Sequence, residues 1–384
     1  MSSGNSGEAE TNYGEGRHRL VRQSHSAATA GKSSRVEWMD FARGVCVILV
    51  VLHHVIRQMA DRAGEEWAVA TEYWQFLDTY LTPIRIPLFF VVSGMLAANS
   101  MNDTLVRARR KFIVPAYLYV VWSTLLSFRE LIPFGNEENA QGVESLLVSF
   151  FMAASGYWYI YALPIYYLIA HYVRSRQVPV FLVFVPLAIL SILREPLTIF
   201  FADYSLRFTD SPSLWGSILA NIVFYMIGVY FKDAIISWAK DVRLTSMAAL
   251  LVGYSILVWF SSRWDLSALE FFASLVGIVL GVSVSVRLVR FPALGRTGCY
   301  IGARTLPVYV LQFFFVSMLS VVWTIGGARM SETPVLAAFY PALVTGCAVS
   351  ISLALYSLLN RTFLKILFSP PRAWISPGGS RGAN

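Results

Sequence analysis

Apolar residues gather along the chain in stretches close to 20 residues long, with short polar runs between them. A helix rises about 1.5 Å per residue, so roughly 20 apolar residues cover the hydrocarbon layer of a bilayer. Such stretches lie at 37–56, 81–99, 112–132, 156–173, 178–193, 213–231, 244–261, 267–286, 306–325 and 335–359. The fifth is short and has little room to tilt. In lipid a spanning segment must satisfy its own backbone, which makes each of these a helix. The pattern predicts an all-α polytopic integral membrane protein with about ten transmembrane helices. Residues 143–155 are apolar but too few to cross, and are expected at the outer interface or in a re-entrant turn. No clear internal repeat accompanies the pattern, which weakens an inverted-repeat transporter reading.

Composition agrees. Of 384 residues, 56% are hydrophobic and 14% charged, against about a quarter charged in soluble domains. The mean hydropathy of +0.56 requires lipid as a second solvent. The 11 Trp and 19 Tyr suit rings seated at headgroup depth. Residues 1–35 are Gly-, Ser- and Ala-rich without an apolar run fit for a signal peptide, and read as a disordered cytoplasmic tail. The ten-span domain is expected over 36–369, and a second cytoplasmic tail over 370–384, marked by Pro370, Pro371, Pro377, Gly378 and Gly379.

A net charge of +8 would suit nucleic acid, but its placement argues for the lipid bilayer as partner and against nucleic acid. With the N-terminus inside and ten alternating spans, the inner segments hold 23 Lys and Arg and the outer ones 8, so both termini are expected in the cytoplasm. Arg57 and Arg85 fall on the outer side. The outer loop 57–80 mixes charges with Trp67, Tyr73, Trp74, Phe76 and Leu77, and is expected to form a helix on the membrane surface. Cys46, Cys299 and Cys347 are far apart and form no CxxC pair, so they read as packing residues; no metal is expected.

The first stretch carries the chemistry. Asp40-Phe41-Ala42-Arg43-Gly44 opens it and His53-His54-Val55-Ile56-Arg57 closes it. Arg43 and His54, eleven residues apart, lie on one helix face about 16 Å apart along the axis. Asp40 is one turn below, Arg57 one turn above. An ionisable stripe on a spanning helix belongs against the bundle interior or a wet cavity. The plain alternative makes Asp40 and Arg43 interfacial anchors and His54 an end cap.

This opening resembles the Asp-x-x-Arg-Gly and Arg-x10-His motif of the membrane acyltransferase-3 family. Further landmarks follow in order: Arg85-Ile-Pro87-Leu88-Phe89-Phe90 with Ser93-Gly94, then Arg107-Ala-Arg-Arg110, then the run through Pro115 and Tyr117. After them come Gly156-Tyr-Trp158-Tyr159 and Gly302-Ala-Arg-Thr305-Leu306-Pro307-Val-Tyr309. Each resembles a family motif at a suitable topological position. One departure stands out: where the family commonly has His after Tyr-Leu-Leu, this chain has Gln312, which can hydrogen-bond but takes no proton near neutrality.

The resemblance implies transfer of an acyl group, acetyl or another short chain, from cytoplasmic acyl-CoA to a hydroxyl of an outward-facing or membrane-bound carbohydrate or lipid. It makes His54 the base or acyl carrier, with Arg43 and Asp40 completing the candidate catalytic set. His53 points about 100° away and reads as packing or a neighbour of the site. Arg85, Arg107, Arg110, Trp158, Tyr159, Tyr309 and Gln312 are candidate substrate contacts. The Arg107 and Arg110 pair would hold CoA phosphates, besides serving as a positive-inside anchor. Arg85 either sits near the acceptor or the oxyanion, or snorkels outward. Trp158 and Tyr159 either line the acceptor pocket or belong to the interfacial belt. The rival reading is a transporter or flippase whose buried Arg and His line a solute path.

Overall fold

The computed structural model describes residues 36–62, 64–131, 143–153, 156–207, 212–241, 243–264, 266–316 and 334–375. The tail expected at 1–35, and the part of the other beyond residue 375, lie outside them. Among the described residues every regular element is helical. The longer ones are α1 (Glu37–Ala60), α2 (Ala68–Ala98), α3 (Arg110–Leu131), α4 (Val143–Phe151), α5 (Trp158–Ser175), α6 (Val180–Ile192) and α7 (Arg194–Ser205). They continue with α8 (Trp215–Tyr230), α9 (Lys232–Lys240), α10 (Leu244–Trp264), α11 (Ser267–Leu288), α12 (Pro292–Gly302), α13 (Thr305–Val316) and α14 (Pro334–Leu359).

Five of these helices (α1, α2, α10, α11 and α14) are long and apolar enough to cross a membrane, and up to eight spans result if each of three bent pairs counts as one. The pairs are α6 with α7, bent by 67°, α8 with α9, bent by 71°, and α12 with α13, bent by 80°. The first break has a local cause. Pro196 lacks an amide hydrogen and its ring collides with the carbonyl four residues back, at Ile192, where α6 stops. The third and fourth expected spans became α3 and α5, which are not among the apolar candidates. Their sequences, rich in Tyr, Trp, Ser and Pro, explain why: α5 alone carries Trp158, Tyr159, Tyr161, Tyr166, Tyr167 and Tyr172.

Burial separates inner helices from outer ones. In α1 and α2, 61% of the apolar window is buried inside the protein, against 11% in α10 and 22% in α14. The outer helices therefore turn most of their apolar surface to the surroundings, which for such sequences means lipid. At the centre α2 packs on α8 and α11. Gly94 and Gly228 set the α2–α8 distance: a Cβ on Gly94 would lie 2.1 Å from the Tyr225 carbonyl, and one on Gly228 2.0 Å from that of Val91. The Ser93-Gly94 landmark is thus a point of close helix packing.

The segment 57–80 is not a separate outer loop. The helix α1 runs on to Ala60, and residues 68–80 are the first half of the 31-residue α2, about 46 Å long. Its outer turns are continuous with the spanning part, not a detached surface helix, because no helix breaker falls between Ala68 and Thr82. The two prolines that do occur, Pro83 and Pro87, sit inside the helix. The apolar stretch at 143–155 holds the nine-residue α4, about 14 Å long and too short to cross; Tyr119 and Trp215 donate to its Phe150 and Phe151 carbonyls.

Candidate functional site

The stripe on α1 has two unlike ends. At the Arg43 end the chain is packed backbone to backbone. A Cβ on Gly44 would meet the Gly298 carbonyl at 2.2 Å, and one on Gly302 the Asp40 carbonyl at 1.7 Å, so α1 and α12 touch through bare glycines. That contact brings Thr305, at the start of α13, within reach of Arg43, whose Nη2 donates to Thr305 Oγ1 at 2.7 Å. Asp40, one turn back, stands 3.8 Å from Nη1. The residues Gly302, Thr305 and Arg43, read from separate motifs, form one cluster.

At the other end the helices part around a cavity of about 350 Å³. His53 and His54 both line it, together with Arg57, Arg85 and Arg194. Arg85 is 4% exposed, so it does not snorkel outward. Its Nη1 donates to Asp78 Oδ1 at 2.6 Å, and its Nη2 to Thr82 Oγ1 at 3.2 Å. The other carboxylate oxygen of Asp78 lies 2.8 Å from His53 Nδ1. Asp78 therefore joins an imidazole of α1 to a guanidinium of its own helix. Across the cavity Arg194, at the start of α7, donates to Glu270 of α11.

Of the two readings of His53, packing or a neighbour of the site, the geometry fits the second. An offset of 100° places its Cβ off the Arg43–His54 face, but the cavity wraps the end of α1 and Asp78 draws the ring into the lining. The two imidazole centroids are 5.3 Å apart. His54 also touches Phe313 of α13, at 4.9 Å between centroids.

Aromatic residues make the third wall. The segment before α5 packs on α13: Tyr309 donates to the Gly156 carbonyl at 2.8 Å, and Tyr157 to the Val310 carbonyl at 3.0 Å. Phe313 lies so close to Gly156 that a Cβ there would come 2.3 Å from its ring. Trp158, Tyr159 and Tyr309 all line the cavity. Tyr159 exchanges a 2.7 Å hydrogen bond with Ser93 of α2 and stacks on Phe89 at 4.4 Å.

Of the residues singled out in the sequence, His54, Arg85, Trp158, Tyr159 and Tyr309 meet at the cavity, while Arg43 and Asp40 sit at the packed end of the same stripe. Arg107 and Arg110 do not join them: both are exposed beyond the end of α2, Arg107 in a one-turn helix over Leu105–Ala108 and Arg110 at the start of α3, roughly 20 Å or more along α2 from Arg85. Gln312 is wholly buried with no hydrogen-bond partner among the described residues, and it does not line the cavity. His171 is at an exposed helix end, hydrogen-bonded to the Asp103 carbonyl at 2.9 Å. Sequence reading missed Asp78, Arg194 and Glu270. Asp78, Thr82 and Arg85 are spaced i, i+4, i+7, a helix-face signal hidden by treating Asp78 as loop.

Comparison with known proteins fits this arrangement. The chain is 25% identical over 363 residues to the inner membrane protein YcfT of Escherichia coli (strain K12), a match covering 87% of this chain and 96% of that protein. No solved structure matches. The acyltransferase-3 family, described as an acyltransferase domain, matches residues 36–355, which include both ends of the α1 stripe, all three walls of the cavity and most of the remaining helices. The chain belongs to the acyltransferase-3 family.

Proposed function

We propose that this protein is a cell-membrane O-acyltransferase that moves a short acyl group, acetyl foremost, from cytoplasmic acyl-CoA to a hydroxyl of an outward-facing or membrane-bound carbohydrate or lipid. The observation that carries the reading is the cavity at the motif histidine, lined by basic and aromatic groups in a chain of this family. Acyl transfer needs a nitrogen that can take a proton or hold the acyl group, and charge or donors for the oxyanion. His54 supplies the nitrogen and Arg85 the nearby positive charge. Trp158 and Tyr309 offer ring faces on which a sugar stacks. Arg43, and Arg107 with Arg110, belong to the cytoplasmic side, where their charge suits the donor's phosphates, while Asp40 pairs with Arg43.

Ten spans with both termini cytoplasmic remain the topology of this reading. Its structural support is the direction of α13: Arg43 bonds Thr305, His54 touches Phe313 and Gln58 bonds the Val316 carbonyl, so α1 and α13 run parallel, as two odd-numbered spans must.

The test is His54→Gln, which keeps polarity and approximate size but accepts no proton. With purified protein in vesicles and labelled acetyl-CoA as donor, formation of acylated glycan or lipid should fall ~10²–10⁴-fold while insertion and donor binding persist. Near-full activity would remove His54 from the chemistry. The three bent helix pairs favour a transporter or flippase as second reading. Only one of the breaks, at Leu193, borders the cavity, through Ser191 and Arg194. A solute crossing vesicles in a His54-dependent way, with no acyl-CoA consumed, would install that reading instead.

A further inference from the structure

The family motif marks one histidine; the geometry around the other is more specific. We infer that His53, aimed by Asp78 and Arg85, takes the proton from the acceptor hydroxyl in this cavity, an inference that rests on the acyl-transfer reading above.

A base on an imidazole needs one nitrogen free and the other held. His53 Nδ1 is 2.8 Å from Asp78 Oδ2, so its N–H donates there and the lone pair is left on Nε2, on the far side of the ring. The residue lines the cavity. Asp78 is itself fixed, because Arg85 Nη1 holds its second oxygen at 2.6 Å and Thr82 holds Nη2 of the same guanidinium. The carboxylate thus cannot swing away, and its charge favours the imidazolium formed when the proton arrives. His54 differs: its ring packs against those of His53 and Phe313, and among the described residues no hydrogen bond fixes its tautomer.

The step balances with the acyl group first carried by His54, as one of the two roles given to it above: its nitrogen bonds to the acyl carbon, the C–S bond breaks with its electron pair on sulfur, and the imidazole proton goes to that sulfur as free thiol. The acceptor oxygen then bonds to the same carbon while its O–H bond breaks and the proton passes to His53 Nε2. The C–N bond breaks with its electron pair on the His54 nitrogen, and His53 returns the proton there, giving the ester and the free imidazole. Asp78 and Arg85 touch no reacting atom in this step and are positioning residues.

The full chain in nanodiscs, with acetyl-CoA as donor and methyl glucoside as acceptor, provides the test, read as thiol released and ester formed. His53→Gln and Asp78→Asn should each lower kcat by ~10²–10⁴ with little change in KM, and the double variant should be no worse than either single one. Asp78→Glu should recover part of the loss. Added imidazole should restore turnover to His53→Ala, a rescue that a merely structural role would not allow. A kcat within about threefold of wild type in both single variants would overturn the inference while leaving acyl transfer intact. So would a loss matched by collapse of the thermal transition and untouched by imidazole. Wild-type protein that releases no thiol would instead count against the acyl-transfer reading, and the inference would fall with it.

Discussion

The two ends of α1 carry similar residues and are held by different physics. Around Arg43 the order comes from contact: Gly44, Gly298 and Gly302 let two backbones meet, and the one long polar side chain finds Thr305 and Asp40 in fixed places. Around His53 and His54 the order comes from charge: Asp78 with Arg85 and His53, and Glu270 with Arg194, hold apart the walls of the cavity. An interior that is close-packed tolerates no added atom, whereas one braced by ion pairs tolerates added volume but not a lost partner. The difference teaches which end can receive a substrate.

Three substitutions test this contrast. Arg85→Met should be the most damaging to stability, because it leaves the Asp78 carboxylate inside the protein without its guanidinium; removing one partner of a buried pair costs about 3–5 kcal/mol. Thermal unfolding in detergent measures it, and an unchanged midpoint would mean that charge does not brace the open end. Gly302→Val comes next, since its Cβ would start 1.7 Å from the Asp40 carbonyl. Forcing α12 from α1 should cost about 1–3 kcal/mol and loosen the Arg43–Thr305 contact, visible as a lower midpoint and faster proteolysis near residue 303. Ala220→Leu should have the smallest effect on stability, under about 1 kcal/mol, because Ala220 lines the cavity and the added carbons enter open space. Acyl transfer should nonetheless fall as the acceptor is crowded out. A large drop in midpoint there would show the cavity to be closed in solution.

Much of this architecture was legible in the sequence. The bounds of α6 and α8 fall within two residues of the expected stretches, since an apolar run flanked by Pro or Lys has few other options. The motif residues His54, Arg85, Trp158, Tyr159 and Tyr309 do converge, although the spacing between them spans most of the chain. Other features were hidden for physical reasons. Asp78 sits in a stretch where charges and aromatics alternate, which hydropathy cannot distinguish from a loop, and only the helical spacing to Thr82 and Arg85 betrays it. His53 was left between packing and a neighbour of the site by an ideal helix wheel, which locates a Cβ but says nothing of a ring drawn toward a carboxylate on another helix. The count of spans was blurred by α3 and α5, whose tyrosines lower hydropathy; most of them serve packing and hydrogen bonds between helices, and of the α5 aromatics Trp158 and Tyr159 reach the cavity.

The contacts between α1 and α13 have a mechanical consequence. Arg43 with Thr305, His54 with Phe313 and Gln58 with the Val316 carbonyl rivet the two helices at three heights, and the glycine contact fixes the α12 turn that feeds them. A plate riveted along its length does not flex at one corner. The pair is a stator, and whatever breathing admits a bulky acceptor falls to the facing panel of α7, α8 and α11, whose Arg194–Glu270 pair is partly wetted and so opens more readily than the buried Asp78–Arg85 brace.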